Sequence, residues 1–159
     1  MSGPVLALPA LLAALEQART QHPAPCVVLT NGIFDLLHLG HLRALRQARA
    51  QGDLLVVGVN ADASVAAQKP GRPIVPAAER AELVGALEPV SYVVVFEEPT
   101  ADALIRAIRP AVYAKGADYT AESLPERQTV AEVGARLALL PLMPDHSTTR
   151  LLDRLRNTG

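Results

Sequence analysis

Short apolar runs recur along this chain at intervals that leave room for a helix between each pair, and no other feature restricts the fold as strongly. The runs are Cys26 to Leu29, Leu54 to Val59, Tyr92 to Phe96, Ala111 to Ala114 and Leu137 to Leu140. A run with no polar alternation suits a strand covered on both faces, which is the pattern of a parallel sheet. Parallel neighbours require crossovers of helix length, and the intervals supply them. The expected fold is therefore α/β: one Rossmann-like, doubly wound domain with a five-stranded parallel sheet flanked by helices.

The helices are read from apolar spacing and end signals. Leu8, Leu11, Leu12 and Leu15 recur on one side of a leading helix with Pro9 in its first turn, and His22, Pro23 and Pro25 end it. Residues 1–24 are taken as part of the same domain as residues 25–159, with the helix packing on the sheet edge or on a partner subunit. A second helix runs from about Gly40 to Gln51, with Gly52 as its C′ residue. Pro76 opens another through Leu87, Thr100 caps the next, Glu126 to Gly134 forms one more, and Ser147 caps the last. Between helices, Lys69 to Pro76 is polar and broken by Pro and Gly, so it reads as a flap.

Composition narrows the functional classes. The 159 residues include 15 basic and 16 acidic side chains, a balance that gives no electrostatic reason to expect nucleic acid as a partner. Cys26, the only cysteine, cannot form an internal disulfide and sits in an apolar strand, which suits a reducing, cytoplasmic setting. The N-terminal stretch has no basic leader and turns amphipathic at Glu16, Gln17 and Arg19, so it reads as neither a signal peptide nor a membrane span.

Chemistry concentrates in Thr30 to His41, TNGIFDLLHLGH, which follows the first strand. Ligands of open α/β sheets bind past the carboxyl ends of strands. His38 and His41 lie three apart at the start of a helix, so both imidazoles can face one object, and Gly40 lets a bulky anion approach the backbone. The free N–H groups and positive dipole end of the helix face the same point. Polyphosphate is the expected ligand. A metal pair is the weaker reading, since a closed zinc site needs more ligands and no Cys or His cluster accompanies these two; no metal ligands are assigned.

The stretch GIFDLLHLGH resembles the signature of the HxGH nucleotidyltransferases, the cytidylyltransferase-like family. GDLLVVGVNADAS, GRPIVPAAERAELVGALEPV, FEEPTADALIRAIRP, KGADY and STTRLL follow in an order similar to the adenylyltransferase half of the bifunctional ADP-heptose synthases, over about Pro25 to Leu155. That likeness implies transfer of AMP from ATP to D-glycero-β-D-manno-heptose 1-phosphate with release of pyrophosphate. Nothing in the chain resembles the kinase half of those enzymes, so phosphorylation of the acceptor is expected of a separate protein. The alternatives are a cytidylyltransferase acting on glycerol 3-phosphate or a similar phosphorylated alcohol, and a nucleotide-binding module without turnover. Magnesium is expected to travel with ATP, and the family implies a homodimer.

The resemblance assigns roles residue by residue. His38, His41 and Lys69 are the candidate catalytic residues. Thr30, Asn31, Gly32, Phe34, Gly40, Arg80, Lys115, Gly116, Asp118, Ser147, Thr148 and Thr149 are assigned to the nucleotide. Asp35, Asn60, Asp62 and Arg72 are assigned to the acceptor, although Asp35 also reads as a brace that fixes its loop through backbone N–H bonds. From the residues alone, Lys69, Arg72 and Arg80 read equally as surface charge. Ala117 stands where relatives usually carry glycine, and a Cβ resists positive φ.

Overall fold

The computed structural model describes residues 2–159. Five parallel strands, β1 (Val27–Gly32), β2 (Leu54–Asn60), β3 (Tyr92–Phe96), β4 (Val112–Gly116) and β5 (Arg136–Leu140), form one sheet in the order β3-β2-β1-β4-β5. β1 pairs with β2 from Val27↔Leu54 to Gly32↔Val59 and with β4 at Val28↔Val112. The chain winds outward from β1 in one direction and resumes at β4 in the other. The topological switch point, where such sheets hold ligands, therefore lies between β1 and β4.

Among the described residues seven helices connect and cover the sheet: α1 (Leu8–Arg19), α2 (Leu39–Arg49), α3 (Asp62–Gln68), α4 (Ala77–Gly85), α5 (Asp102–Ile108), α6 (Arg127–Glu132) and α7 (Thr148–Arg156). Leu45 and Ala48 of α2 and Ala81 and Val84 of α4 pack on one face against Val28, Val57 and Val93. Leu11 and Leu15 of α1, Leu104, Ile105 and Ile108 of α5 and Val130 of α6 cover the other, against Val27, Leu29, Val56 and Val94. Leu11 and Leu15 are fully buried, each contributing about 2 kcal/mol by removal from water. The apolar face of α1 thus packs against the sheet and α5 of the same chain. Residues before α1 run along the outer strand: Leu6 N–H donates to Val93 O (2.8 Å) and Val93 N–H to Pro4 O (3.0 Å), which covers the edge of β3.

The fold class read from the apolar runs is the one observed, with four local differences. β1 continues to Gly32, so Thr30, Asn31 and Gly32 belong to the strand rather than to the loop after it. Asp62 to Gln68, for which no element was expected, is helical. Thr100 does not cap α5: its hydroxyl donates to Asp102 Oδ2 (2.5 Å), and the N-cap residue is Ala101. Gly52 lies beyond the C-cap residue Ala50 and has no positive φ. A Cβ there would stand 2.7 Å from Cys26 O, so close backbone approach, not helix termination, requires glycine.

Candidate active site

The two histidines are built into the first turn of α2. His38 is the N-cap residue with extended backbone, and its Nδ1 accepts the Gly40 N–H at 3.1 Å. His41, at the third helical position, turns its Nδ1 back to the His38 N–H at 3.3 Å. This is the reciprocal logic of a capping box made with two imidazoles. The rings stack with centroids 3.9 Å apart and planes inclined by 28°.

The tautomer follows from those bonds. A ring nitrogen that accepts from a backbone N–H carries no proton, so in each neutral imidazole the hydrogen sits on Nε2. Both rings line the same cleft and offer it Nε2–H donors. Burial lowers the pKa of His41 to about 4; the neighbouring His38 adds to this, and Asp35 opposes it. Burial also lowers His38, with a smaller contribution from His146. Two stacked rings resist double protonation, so at neutral pH they act as donors rather than cations.

Gly40 is required by contact, though not the contact expected from sequence. Its Cβ would meet the His38 ring at 2.8 Å and His146 Cβ at 3.0 Å. What approaches the glycine backbone is the ring that caps the helix.

The cleft, about 1180 Å³, opens at the switch point. It gathers His38, His41 and Gly40 with Asn31, Gly32 and Phe34 from the end of β1, Asn60 from β2, Lys69 and Arg72 from the flap, Lys115, Gly116 and Asp118 from β4 and its loop, and Ser147, Thr148 and Thr149 from the tip of α7. Ser147 caps α7 by accepting the Arg150 N–H at 3.1 Å, so a second helix N-terminus faces the same space. Lys115 Nζ reaches Asn31 O (3.4 Å) and Asn31 Oδ1 (3.3 Å); burial lowers its pKa, against the pull of Glu126 and Asp118.

Several assigned residues hold the site together instead of facing a ligand. Asp35 is 1% exposed and its carboxylate is saturated: Oδ2 accepts from Arg72 Nε (2.8 Å) and Ile74 N–H (2.8 Å), and Oδ1 from Val75 N–H (3.0 Å). Burial alone would raise its pKa; these donors outweigh it and hold the carboxyl below its usual range. The brace reading of Asp35 therefore describes its contacts, and the acceptor reading does not. Arg72 lines the cleft, but its Nε belongs to Asp35. The Asp35 carbonyl accepts from Thr148 Oγ1 (2.5 Å), so one residue ties the signature loop to the flap and to α7. Such anchoring matters because Phe34 and Leu36, on either side of Asp35, both have positive φ (54° and 52°), a strained state for side-chain-bearing residues.

Arg80, expected at phosphate, is completely buried. Its three nitrogens donate to Val75 O (2.7 Å), Ile33 O (2.5 Å) and Asp62 Oδ1 (2.7 Å), and it does not line the cleft. Asp62 is likewise turned from the acceptor to α4, where Oδ1 also accepts the Ala77 N–H at 2.8 Å. Thr30 donates its hydroxyl to Ala114 O (2.9 Å), a tie between β1 and β4 that leaves it away from the cleft. Phe34 is 8% exposed, and its ring stands 5.4 Å from that of His41, tilted by 49°. Ala117 has no positive φ, and its N–H donates to Leu140 O at 2.8 Å, so a Cβ is accommodated without strain.

His146 and Glu126 are among the cleft residues missed in the sequence. His146 donates from Nδ1 to Pro144 O (2.8 Å); a carbonyl can only accept, so this ring carries its proton on Nδ1, opposite to the other two. Its position directly before the Ser-Thr-Thr segment was the available signal. Glu126, taken for an ordinary helix start, is buried in the cleft wall.

A doubly wound parallel sheet with two helix N-termini, paired imidazoles and hydroxyls around one switch-point cleft defines a nucleotidyltransferase. The family model described as Cytidylyltransferase-like matches residues 29–153, and the chain belongs to that family. It is 46% identical over 130 residues to the Bifunctional protein HldE of Syntrophotalea carbinolica, covering 81% of this chain and 26% of that protein. The HldE protein of Halorhodospira halophila is 45% identical over 152 residues, or 95% of this chain and 31% of the relative. This chain thus spans between a quarter and a third of the length of these relatives. Among solved structures, the lipopolysaccharide core biosynthesis protein from Thermoplasma volcanium superposes with a TM-score of 0.61 at 26% identity, over 75% of this chain and 97% of that one.

Proposed function

We propose that the chain transfers the adenylyl group of ATP to a sugar 1-phosphate, D-glycero-β-D-manno-heptose 1-phosphate, with release of pyrophosphate. The observation that carries the reading is the double-histidine cap, which fixes two Nε2–H donors on the rim of a cleft that also receives the Ser147-capped tip of α7. Similarity to the HldE proteins and to the ADP-heptose synthase blocks supports the choice of substrates.

In this reading the β- and γ-phosphates lie at the start of α7, where Ser147, Thr149 and the free N–H groups gather. A phosphate oxygen of the acceptor attacks the α-phosphorus in line, the bond to the bridging oxygen breaks, and its electrons leave with pyrophosphate. His38 and His41 donate to the non-bridging and bridging oxygens as charge accumulates there, a preorganised electrostatic task that requires no proton transfer. Lys115 and Lys69 supply positive charge, and Asp118 accepts from a ribose hydroxyl. Magnesium would come with ATP and would offset charge on the pyrophosphate. Among the described residues no group of three or more His, Cys, Asp or Glu is placed to hold a metal ion.

Pyrophosphate release tests the proposal, with ATP or CTP offered against heptose 1-phosphate, other sugar 1-phosphates, glycerol 3-phosphate and ethanolamine phosphate. Turnover with ATP and a sugar 1-phosphate is expected, and His41→Ala should reduce it by about a hundredfold or more while the protein stays folded. Turnover with CTP and glycerol 3-phosphate would make the chain a cytidylyltransferase. Binding of nucleotide without release on any acceptor would make it a silent module.

A further inference from the structure

Lys115 stands near the end of β4 and lines the cleft, where two carboxylates, Glu126 and Asp118, attract its charge. An ammonium paired with a partly buried carboxylate has little charge left to offer an anion that enters the cleft. Yet Nζ is directed at a neutral residue: it donates to Asn31 O (3.4 Å) and Asn31 Oδ1 (3.3 Å) at the end of β1. Two of its three N–H donors are thereby fixed, and the third is left for a ligand.

The orientation of the Asn31 amide is set from behind. Tyr113 lies two residues before Lys115, on the same side of β4. Its ring is fully buried in the core with Leu29, Ile105 and Leu124, and it does not line the cleft. Its hydroxyl donates to Asn31 Oδ1 at 2.5 Å. Burial, and after it the charge of Glu126, pushes the pKa of this hydroxyl up, so it keeps its proton and acts as a donor. That one proton faces two acceptors, since the Glu126 carboxylate is also within hydrogen-bond reach. Lys115 decides between them. An ammonium can only donate, so the Asn31 atom turned to both Nζ and the hydroxyl is the amide oxygen, and two oxygens 2.5 Å apart need the tyrosine proton between them.

We infer that Tyr113 is a positioning residue for the nucleotide site: its hydroxyl locks the Asn31 amide, and the locked amide holds the Lys115 ammonium off the two carboxylates and open to a phosphate oxygen of the nucleotide. This inference rests on the nucleotide-binding reading of the cleft proposed above and names a residue which that reading does not use.

Tyr113→Phe tests it, because the hydroxyl is removed while the buried ring is kept. The measurements are the Kd for ATP by titration calorimetry and the melting temperature, in the wild type, Tyr113→Phe, Lys115→Met and the double variant. Tyr113→Phe should weaken ATP binding about three- to tenfold. The double variant should bind ATP no worse than Lys115→Met alone, since the tyrosine acts only through the ammonium. Asn31→Ala breaks the same relay at its middle without touching the core, and should likewise leave nothing for Tyr113→Phe to add. An unchanged Kd in Tyr113→Phe overturns the inference while leaving the proposed function standing. Equal losses of affinity with and without Lys115, tracking a lowered melting temperature, also overturn it by reducing the hydroxyl to a brace of the core. A wild type that does not bind ATP overturns the proposed function and this inference with it.

Discussion

His41 makes the stability of this protein depend on pH in a way that its structure sets quantitatively. In the folded chain the imidazole is half-buried under His38 and beside Phe34, which lowers its pKa from 6.5 to about 4. In the unfolded chain it titrates near 6.5. As pH falls, the unfolded chain takes up the proton first, so this residue's contribution is complete above about 6.5, declines below it, and is exhausted below about 4. Integrating proton uptake between those two values gives a loss of about 2 kcal/mol at pH 5 relative to pH 8. The lowered pKa of His38 acts in the same direction. His41→Gln isolates the effect, because a glutamine at the third helical position can still reach back to the N-cap N–H and keep the capping box. Urea denaturation of both proteins at pH 8, 6 and 5 should show the wild type losing about 2 kcal/mol more than the variant. Parallel curves would refute the reasoning, since they would mean that His41 is protonated alike in both states.

Other consequences separate braces from ligands. Arg80→Ala should destabilise the fold by about 3–5 kcal/mol, because it leaves the buried carbonyls of Val75 and Ile33 without donors and breaks the pair with Asp62. Normal thermal stability with weakened ATP binding would restore Arg80 to the phosphate role expected from sequence. Asp35→Asn replaces an oxygen that receives backbone donors with an NH2 group, so limited proteolysis should cut the Lys69–Pro76 flap faster, with a stability loss of about 2 kcal/mol. Unaltered cleavage would mean that the flap does not depend on this carboxylate.

The sheet was legible because its strands are continuous apolar runs, a pattern enforced by burial on both faces, and β3 matched residue for residue. The histidine pair was legible because helical spacing and a strand end are local properties of sequence. Side-chain direction was not. Arg80, Thr30 and Asp62 carry the right chemistry at the right place in the chain, yet each points to a backbone or side-chain partner that only the folded chain brings near. Helix α3 escaped for a related reason: it has seven residues, too few for apolar periodicity to show, and packing rather than propensity holds it. Glu126 was invisible because nothing in the sequence says that α5 and α6 begin side by side.

A crystal structure with the non-cleavable ATP analogue in which a methylene bridges the α- and β-phosphorus tests the central claim most directly. The α-phosphate oxygens should lie within hydrogen-bond distance of Nε2 of His38 and His41, with the γ-phosphate at Ser147 and Thr149. A nucleotide bound elsewhere, or imidazoles that keep Nδ1 on the helix while no phosphate meets Nε2, would contradict it.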